Sequence, residues 1–425
     1  MTTRRSILIL GNVIFADVHR PQQSILNMIL SLLACLLLLT PAIAAGENSL
    51  GRARARSYPQ VPGVVIDHIP KARRIYVGSP SLVLLTNGDY VASHDCFGPR
   101  SDEHKAPVTK IFRSRDRGAT WKPVSVLKGQ FWSTLFLHRG ALYILGTSHG
   151  YGNIVIRHSL DEGDTWTTPT NAASGILRDD GQYHCAPVPV VEHNGYLWRA
   201  FERRDPPRGW ASNFRAGMLS APVDADLLQA ASWRSSNFLP GSSNWLAGNF
   251  RGWLEGNAVV TPSGEIDDIL RVDTPGLPEM AAIVRIARDG SAASFDPATD
   301  FIQLPGGAKK FTIRPDPLGG GYWTLASIAD ASDSASTRLS PGKVRNTLAL
   351  LHAADLRHWE VRAVLLRHPD AAAHAFQYVD WQFDGNDIVA VSRTAFDDGE
   401  GGANRYHDAN FLTFHRFKDF RKLRR

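Results

Sequence analysis

The sequence predicts an all-β fold, a β-propeller of six blades, and three observations carry the prediction. The octapeptide SRDRGATW at 114–121 returns as SLDEGDTW at 159–166, so Ser-x-Asp-x-Gly-x-Thr-Trp is written twice with its starts 45 residues apart. A period near 45 residues filled by short strands fits one propeller blade. Six segments repeat the plan strand, tight turn, strand, and the turns NGD, HRG, HNG, SGE and DGN carry hairpin chemistry.

The octapeptide is built to close a corner. Its Ser and Asp can bond the backbone of their own turn, Gly permits positive φ, and Trp can anchor the hairpin on neighbouring strands. Strand-like stretches flank both copies: VTKIFR and WKPVSVL, then NIVIRH and WTTPT. Weaker echoes occur at ADLLQAASW, residues 225–233, and HAADLRHW, residues 352–359. The six strand–turn–strand units read SPSLVLLTNGDYVASHD, STLFLHRGALYILGTSHG, APVPVVEHNGYLWRAFERRD, LEGNAVVTPSGEIDDILRVD, KKFTIRPDPLGGGYWTLAS and FQYVDWQFDGNDIVAVSRTAFDD. A seventh blade within residues 50–75 is the alternative. The 36 Gly, 25 Pro and 11 Trp of the 425 residues suit many turns and aromatic surfaces better than helical bundles.

Residues 29–45, ILSLLACLLLLTPAIAA, form an apolar run ending in small residues, and Ala42-Ile43-Ala44 fits a signal-peptidase site. Pro41 and the shortness of the run argue against a permanent membrane span. The expectation is a signal segment over 1–44, with translation from Met1 or Met28, then one propeller domain over 45–425 and a periplasmic or extracellular monomer. A lipoprotein site at Cys35 fits less well, because the apolar run continues past it. Cys96 and Cys185 remain, as one disulfide or two buried thiols. The formal net charge is +6. It favours acidic partners in general, but no nucleic-acid reader motif accompanies it.

In a propeller the first strand of each blade lines the axis, and its start shares a face with the loop after the second strand. The octapeptides fall on the other face and read as structural. On the first face, strand starts bring Trp132, His184, Glu255, Asn257, Lys310, Tyr378 and Asp380. Loops after second strands bring His94, Asp95, His149, Glu202, Arg271 and Arg393. Polar and ionisable residues recurring at one phase point to a site for a polar, anionic ligand. The richest clusters are SHD with His94 and Asp95, GQYHCAPVP with Tyr183 and His184, WRAFERR with Arg199 and Glu202, and FRGWLEGN with Trp253, Glu255 and Asn257. ANRYHDANF adds His407. No HExxH, CxxC or EF-hand spacing occurs and no dinucleotide or phosphate loop, so no cofactor is expected; a structural Ca²⁺ in the central channel has no sequence support.

From Tyr76 onward the chain resembles bacterial sialidase-like propellers with BNR or Asp-box repeats. GWLEGNAVVTPSGEIDDILRVD, KKFTIRPD, RNTLAL and FQYVDWQFDGNDIVAVSRTAFDDG are similar to a subgroup often labelled exo-alpha-sialidase. The resemblance implies a sialidase-type propeller acting on glycans. Sialidases carry an Arg-Ile-Pro motif on the first blade whose arginine clamps the substrate carboxylate. Here IYVGSPSL stands in its place, with Gly78, Ser79 and Pro80 in that neighbourhood. That departure favours a uronic acid over sialic acid. The architecture is also similar to propeller polysaccharide lyases and rhamnose-glucuronate-cleaving enzymes. The expected function is cleavage of a glycosidic bond beside an acidic sugar in an extracellular glycan. In the elimination version His149, Tyr183 and His184 handle protons and Arg199 and Arg271 bind the carboxylate. His94 is a further acid–base candidate, and Trp253, Glu255, Asn257, Lys310, Arg393 and His407 contact sugar. Hydrolysis instead needs paired carboxylates or a Tyr–Glu pair, for which Asp95, Glu202, Glu255 and Tyr378 are candidates. A third reading is a glycan-binding propeller without activity.

Overall fold

The computed structural model describes residues 58–205, 209–275, 278–330 and 339–424. The expected signal segment lies outside them. Residues from Tyr58 onward form one compact unit. It contains six antiparallel sheets, each running outward from an inner strand. Blade 1 takes its strands from Tyr76–Leu84, Tyr90–Phe97, Val108–Ser114 and Lys122–Lys128. Blade 2 uses Phe131–His138, Ala141–Thr147, Ile154–Ser159 and Ile176–Arg178. The inner edge of blade 3 is split into Gln182–His184 and Val191–His193, followed by Tyr196–Arg204 and Phe214–Pro222. Blade 4 is built on Gly252–Val260, Ile266–Asp273 and Met280–Ile286, and blade 5 on Phe311–Pro315, Tyr322–Ser327, Thr347–Ala353 and Glu360–Arg367.

Blade 6 closes the ring. Its strands Ala375–Asp384, Asp387–Ala395 and Phe411–Phe417 come from the end of the chain, and its outer strand is Val64–His68 from the beginning. Val64 pairs with Phe414 and His68 with Phe411. The alternative of a seventh blade before residue 75 is thereby overturned: that segment supplies one strand, and the sheet count is six.

The octapeptides behave as their residues dictate. Ser114 Oγ donates to Asp116 Oδ1 (2.8 Å), the Thr120 N–H donates to the same oxygen (2.8 Å), and Trp121 Nε1–H reaches the Gly118 carbonyl (3.2 Å). The second copy repeats all three bonds through Ser159, Asp161, Thr165 and Trp166. Gly118 (φ 93°) and Gly163 (φ 97°) occupy backbone space that an L side chain resists. The strand expected at WTTPT is absent, and the outer strand of blade 2 begins later, at Ile176. The weaker echo at 352–359 keeps the tryptophan contact, Trp359 Nε1–H to the Leu356 carbonyl (2.9 Å).

Between blades the packing is apolar. One cluster joins Trp198 and Met218 of blade 3 to Trp253, Leu270 and Val284 of blade 4. Along the axis the inner strands are instead stitched by polar bonds. Thr134 Oγ1–H donates to the Val188 carbonyl (2.9 Å), the Ile313 N–H donates to Asn257 Oδ1 (3.1 Å), and Asp380 Oδ2 accepts from Ser81 Oγ and the Leu82 N–H (both 2.9 Å). These bonds are buried, so each satisfies a group whose isolation would cost about 1–3 kcal/mol.

Four inner strands share one irregularity. Pairing with the second strand slips between Val77 and Pro80, Phe131 and Thr134, Leu254 and Asn257, and Gln377 and Asp380. These β-bulges lie at the same rim. Three of them hold a non-glycine residue in the left-handed region: Trp132 (φ 50°), Glu255 (φ 60°) and Tyr378 (φ 53°). A bulge re-aims a side chain at the cost of local strain. All three residues face one cavity.

Candidate functional site

The cavity has a volume of about 260 Å³ and opens at the bulged rim. Blade 1 contributes Gly78, Ser79, Asp95 and Phe97, and blade 2 contributes Phe131 and Trp132. His184 comes from blade 3, Glu255 from blade 4, and Tyr378 and Arg393 from blade 6. Cys185 follows His184 in blade 3, and Glu103, His104, Tyr151, Trp210 and His407 complete the wall from loops.

At its centre Tyr378 Oη–H donates to Glu255 Oε1 (2.8 Å). Arg271 Nη1–H donates to the other oxygen, Glu255 Oε2 (3.0 Å). Burial alone would raise the Glu255 pKa, but Arg271, His184 and Tyr378 together hold it below the ordinary glutamate range. Glu255 is therefore ionised and accepts the phenolic proton. Burial, then the Glu255 charge, raises the Tyr378 pKa above that of free tyrosine, while Arg271, Arg345 and Arg393 oppose the rise. The Arg393 guanidinium lies 4.9 Å from the Tyr378 ring centroid and that of Arg345 lies 5.6 Å away. Tyr378 is thus neutral at rest, and any phenolate formed there is surrounded by three guanidinium groups.

Asp95 stands in the same wall. The Ser79 N–H donates to its Oδ1 (2.5 Å) and the Trp132 N–H to its Oδ2 (2.7 Å). Gly78 makes that seat: a Cβ there would fall 1.6 Å from Asp95 Oδ1. Burial outweighs the two amides and pushes the Asp95 pKa up to about 6. A buried carboxyl poised near 6 can be protonated at mildly acid pH and give its proton to a leaving group.

Opposite chemistry surrounds His184. Its Nδ1 pairs with Glu202 Oε2 (2.7 Å), and Glu202 Oε1 accepts the N–H of Gly256 in the bulge beside Glu255 (3.1 Å). The imidazole packs edge-on to Trp132 (4.6 Å between centroids) and stacks on Phe214 (4.8 Å).

Of the residues expected at a site, the structure brings Asp95, His184, Glu255, Tyr378, Arg393 and His407 to the cavity wall, with Glu202 and Arg271 directly behind. Others lie elsewhere, each for a physical reason. Tyr183 is fully buried between blades, donates to Asp180 Oδ1 (2.7 Å), and has its pKa pushed to about 12, chiefly by burial. Its strand neighbour His184 takes the cavity side because successive side chains alternate. His94 likewise turns away from Asp95: its Nε2 pairs with Asp67 Oδ2 (2.9 Å) and its Nδ1 with the Asp95 carbonyl (2.8 Å). His149 pairs with the carbonyl of its neighbour Gly150 (3.2 Å) and does not line the cavity.

Arg199 lies on the axis and donates to the Ala186 and Ala200 carbonyls (2.6 Å each). Lys310 donates to Thr312 Oγ1 (2.6 Å) and the Val379 carbonyl (2.7 Å), and Asn257 bridges blades 4 and 5. These three hold the ring together rather than face a ligand. Trp253 is fully buried in the core, with Nε1–H on the Phe214 carbonyl (3.1 Å). Truncating such a side chain costs about 3–5 kcal/mol.

His407 is a neutral imidazole, its pKa lowered to about 3 by burial and by Arg393. Cys96 and Cys185 are separate buried thiols. Among the described residues no group of three or more His, Cys, Asp or Glu side chains could hold a metal ion.

The geometry adds Arg345, Tyr151 and Trp210, which the strand phase does not pick out. Arg345 stands two residues before the third strand of blade 5, in RNTLAL; a charged residue before an apolar strand was the available signal.

The chain matches no protein-family model and no curated protein sequence. Its fold is similar to several solved structures. An alpha-L-arabinanase of Penicillium chrysogenum complexed with arabinobiose aligns at 15% identity with a TM-score of 0.54, over 85% of this chain and 99% of that one. A Hadza microbial sialidase aligns at 14% identity and TM-score 0.58, over 84% of this chain and 68% of that one. An alpha-L-arabinofuranosidase mutant of Fusarium graminearum in complex with an iminosugar inhibitor aligns at 12% and 0.56, over 85% and 98%. The fold is that of the sialidase-like six-bladed β-propellers.

Proposed function

We propose that the chain is a glycoside hydrolase acting on a glycan with an acidic sugar at the scissile bond. The observation that carries the reading is the hydrogen bond between Tyr378 and ionised Glu255, set in the same cavity as a carboxyl with a raised pKa. Glu255 takes the phenolic proton as Tyr378 attacks the anomeric carbon. Asp95 protonates the departing oxygen, then serves as base for the water that displaces the sugar from Tyr378, whose phenolate recovers its proton from Glu255. Arg271, Arg345 and Arg393 stabilise the developing phenolate.

The acidic sugar is inferred from the same wall. Arg393 lines the cavity, and among the described residues its buried Nε–H has no hydrogen-bond partner. A tyrosine nucleophile also suits such a substrate, because a neutral phenol approaches a carboxylate-bearing sugar without the repulsion a carboxylate nucleophile meets. Hydrolysis replaces elimination in this reading because His149, Tyr183 and Arg199 do not converge. The structurally similar proteins carry names of glycan-cleaving enzymes, and the apolar run before Ala44 supports action outside the cytoplasm, where such glycans occur.

The test is one incubation with sialosides, glucuronides and arabinosides, following released sugar and ultraviolet absorbance of unsaturated uronate. Release of an acidic sugar without absorbance is expected. Rising absorbance would establish elimination, and preferential release of arabinose would overturn the acidic assignment.

A further inference from the structure

Six large hydrophobic side chains are strongly exposed among the described residues, and five are aliphatic: Val126, Leu160, Leu318, Leu339 and Val364. The sixth, Trp210, is 51% exposed and is the one that lines the site cavity. An exposed indole on the wall of a cavity is a candidate ligand contact, since binding pockets are lined largely by apolar and aromatic side chains.

Its position is fixed. Trp210 lies between the second and third strands of blade 3, next to Ala211, which is fully buried at φ 56° and packs with Phe214 and Leu254. The Phe214 N–H donates to the Ala211 carbonyl (3.0 Å). Gly252 gives Ala211 room, since a Cβ there would come within 2.5 Å of the Ala211 backbone. One face of the indole is held over the Arg271 guanidinium, 5.4 Å from the ring centroid. Arg271 in turn grips Glu255, so Trp210 is tied to the reacting pair through a single side chain.

The size of the cavity bears on what Trp210 meets. At about 260 Å³ it is smaller than typical ligand pockets and takes about one sugar residue. A linked second residue must leave it, either past Trp210 or into the adjoining cavity of about 970 Å³ that shares Phe97, Glu103, His104 and His407 with it. We propose that Trp210 is the stacking platform for the saccharide ring on the leaving-group side of the scissile bond, so that the substrate is an oligosaccharide recognised over at least two residues. The ligand is a sugar ring presenting an apolar CH face to the free half of the indole. The assignment rests on the hydrolase reading for the direction of the leaving group, but its binding test does not.

Two substrate pairs test it: 3′-sialyllactose against methyl sialoside, and a glucuronosyl disaccharide against methyl glucuronide. Trp210→Ala is expected to lower the ratio of kcat/KM for the longer substrate to that for the methyl glycoside about tenfold or more, mainly through KM. Trp210→Phe should restore most of the ratio, which a purely structural role would not produce. Calorimetric titration of the same saccharides into Tyr378→Phe separates this inference from the hydrolase reading: affinity for the longer member should fall on adding Trp210→Ala. A ratio and an affinity difference both unmoved by Trp210→Ala would overturn the proposal, as would the absence of binding by either saccharide pair. Cleavage surviving in Tyr378→Phe would overturn the hydrolase reading and leave the Trp210 result standing.

Discussion

Asp95 and Glu202 occupy equivalent places in two blades. Each is third from the end of its blade's second strand, and each accepts a backbone N–H from the bulge on the next blade's inner strand, at Trp132 and Gly256. They differ in what the rest of the carboxyl does. Glu202 is covered, and its other oxygen pairs with His184. Among the described residues Asp95 accepts its hydrogen bonds from backbone amides; it lines the cavity, and burial raises its pKa to about 6. One architectural position thus yields a positioning group in blade 3 and a group free to exchange a proton with a ligand in blade 1. A buried carboxylate at a site rim is informative only once its partners are counted.

Two substitutions should separate the pair most widely. Asp95→Asn removes the proposed acid and is expected to lower kcat by about 10²–10⁴-fold on a substrate with a poor leaving group. Glu202→Gln loosens His184 and the bulge but leaves the reacting groups, and is expected to lower kcat/KM only about tenfold. Equal losses in steady-state assays would break the distinction.

The pH profile sharpens it. The acid must be protonated, so kcat/KM should fall as pH rises through about 6, the pKa that burial gives Asp95. In Asp95→Asn that alkaline limb should vanish, whereas Glu202→Gln should keep it.

The smallest effect concerns a raised carboxyl that has no site. Asp267, in blade 4, is also pushed to about 6 by burial, yet does not line the cavity. A folded-state pKa above the unfolded value means the folded chain holds an extra proton between about pH 4 and 6, so this group's contribution to stability is lost as pH rises through about 6. Asp267→Asn should therefore gain stability over the wild type by about 1–2 kcal/mol at pH 7, with less gain at pH 4, and with kcat unaltered. Denaturant titrations at the two pH values read this directly. A raised pKa outside a cavity is a stability feature, and Asp267 is the control for Asp95.

The fold was legible because its signals are local. Octapeptide and hairpin turns are decided by Gly, Asp and Ser within a few residues, and a 45-residue spacing needs no knowledge of distant contacts. The site was legible only in phase. Strand starts led to Glu255 and Tyr378, and the second-strand ends led to Asp95. The strand parity that separates His94 from Asp95 and Tyr183 from His184 depends on which sheet face is covered, which neighbouring blades decide. The bulges that aim Glu255 and Tyr378 leave no mark in those residue types. Asn257 and Lys310 share the phase of site residues, yet they bridge strands along the axis, because inner strands need polar bonds there as well.

The most direct test of the central claim is to find which atom carries the sugar during turnover. The protein would be incubated with fluorinated acidic glycosides, sialosyl and glucuronosyl, whose electron-withdrawing fluorine slows release of the intermediate. It would then be acid-quenched and its peptides weighed by mass spectrometry. A sugar-mass adduct on the peptide spanning 375–384, located at Tyr378 and lost in Tyr378→Phe, is the predicted result. An adduct on Glu255 or Asp95, or an unmodified protein that releases product of inverted configuration, would contradict it.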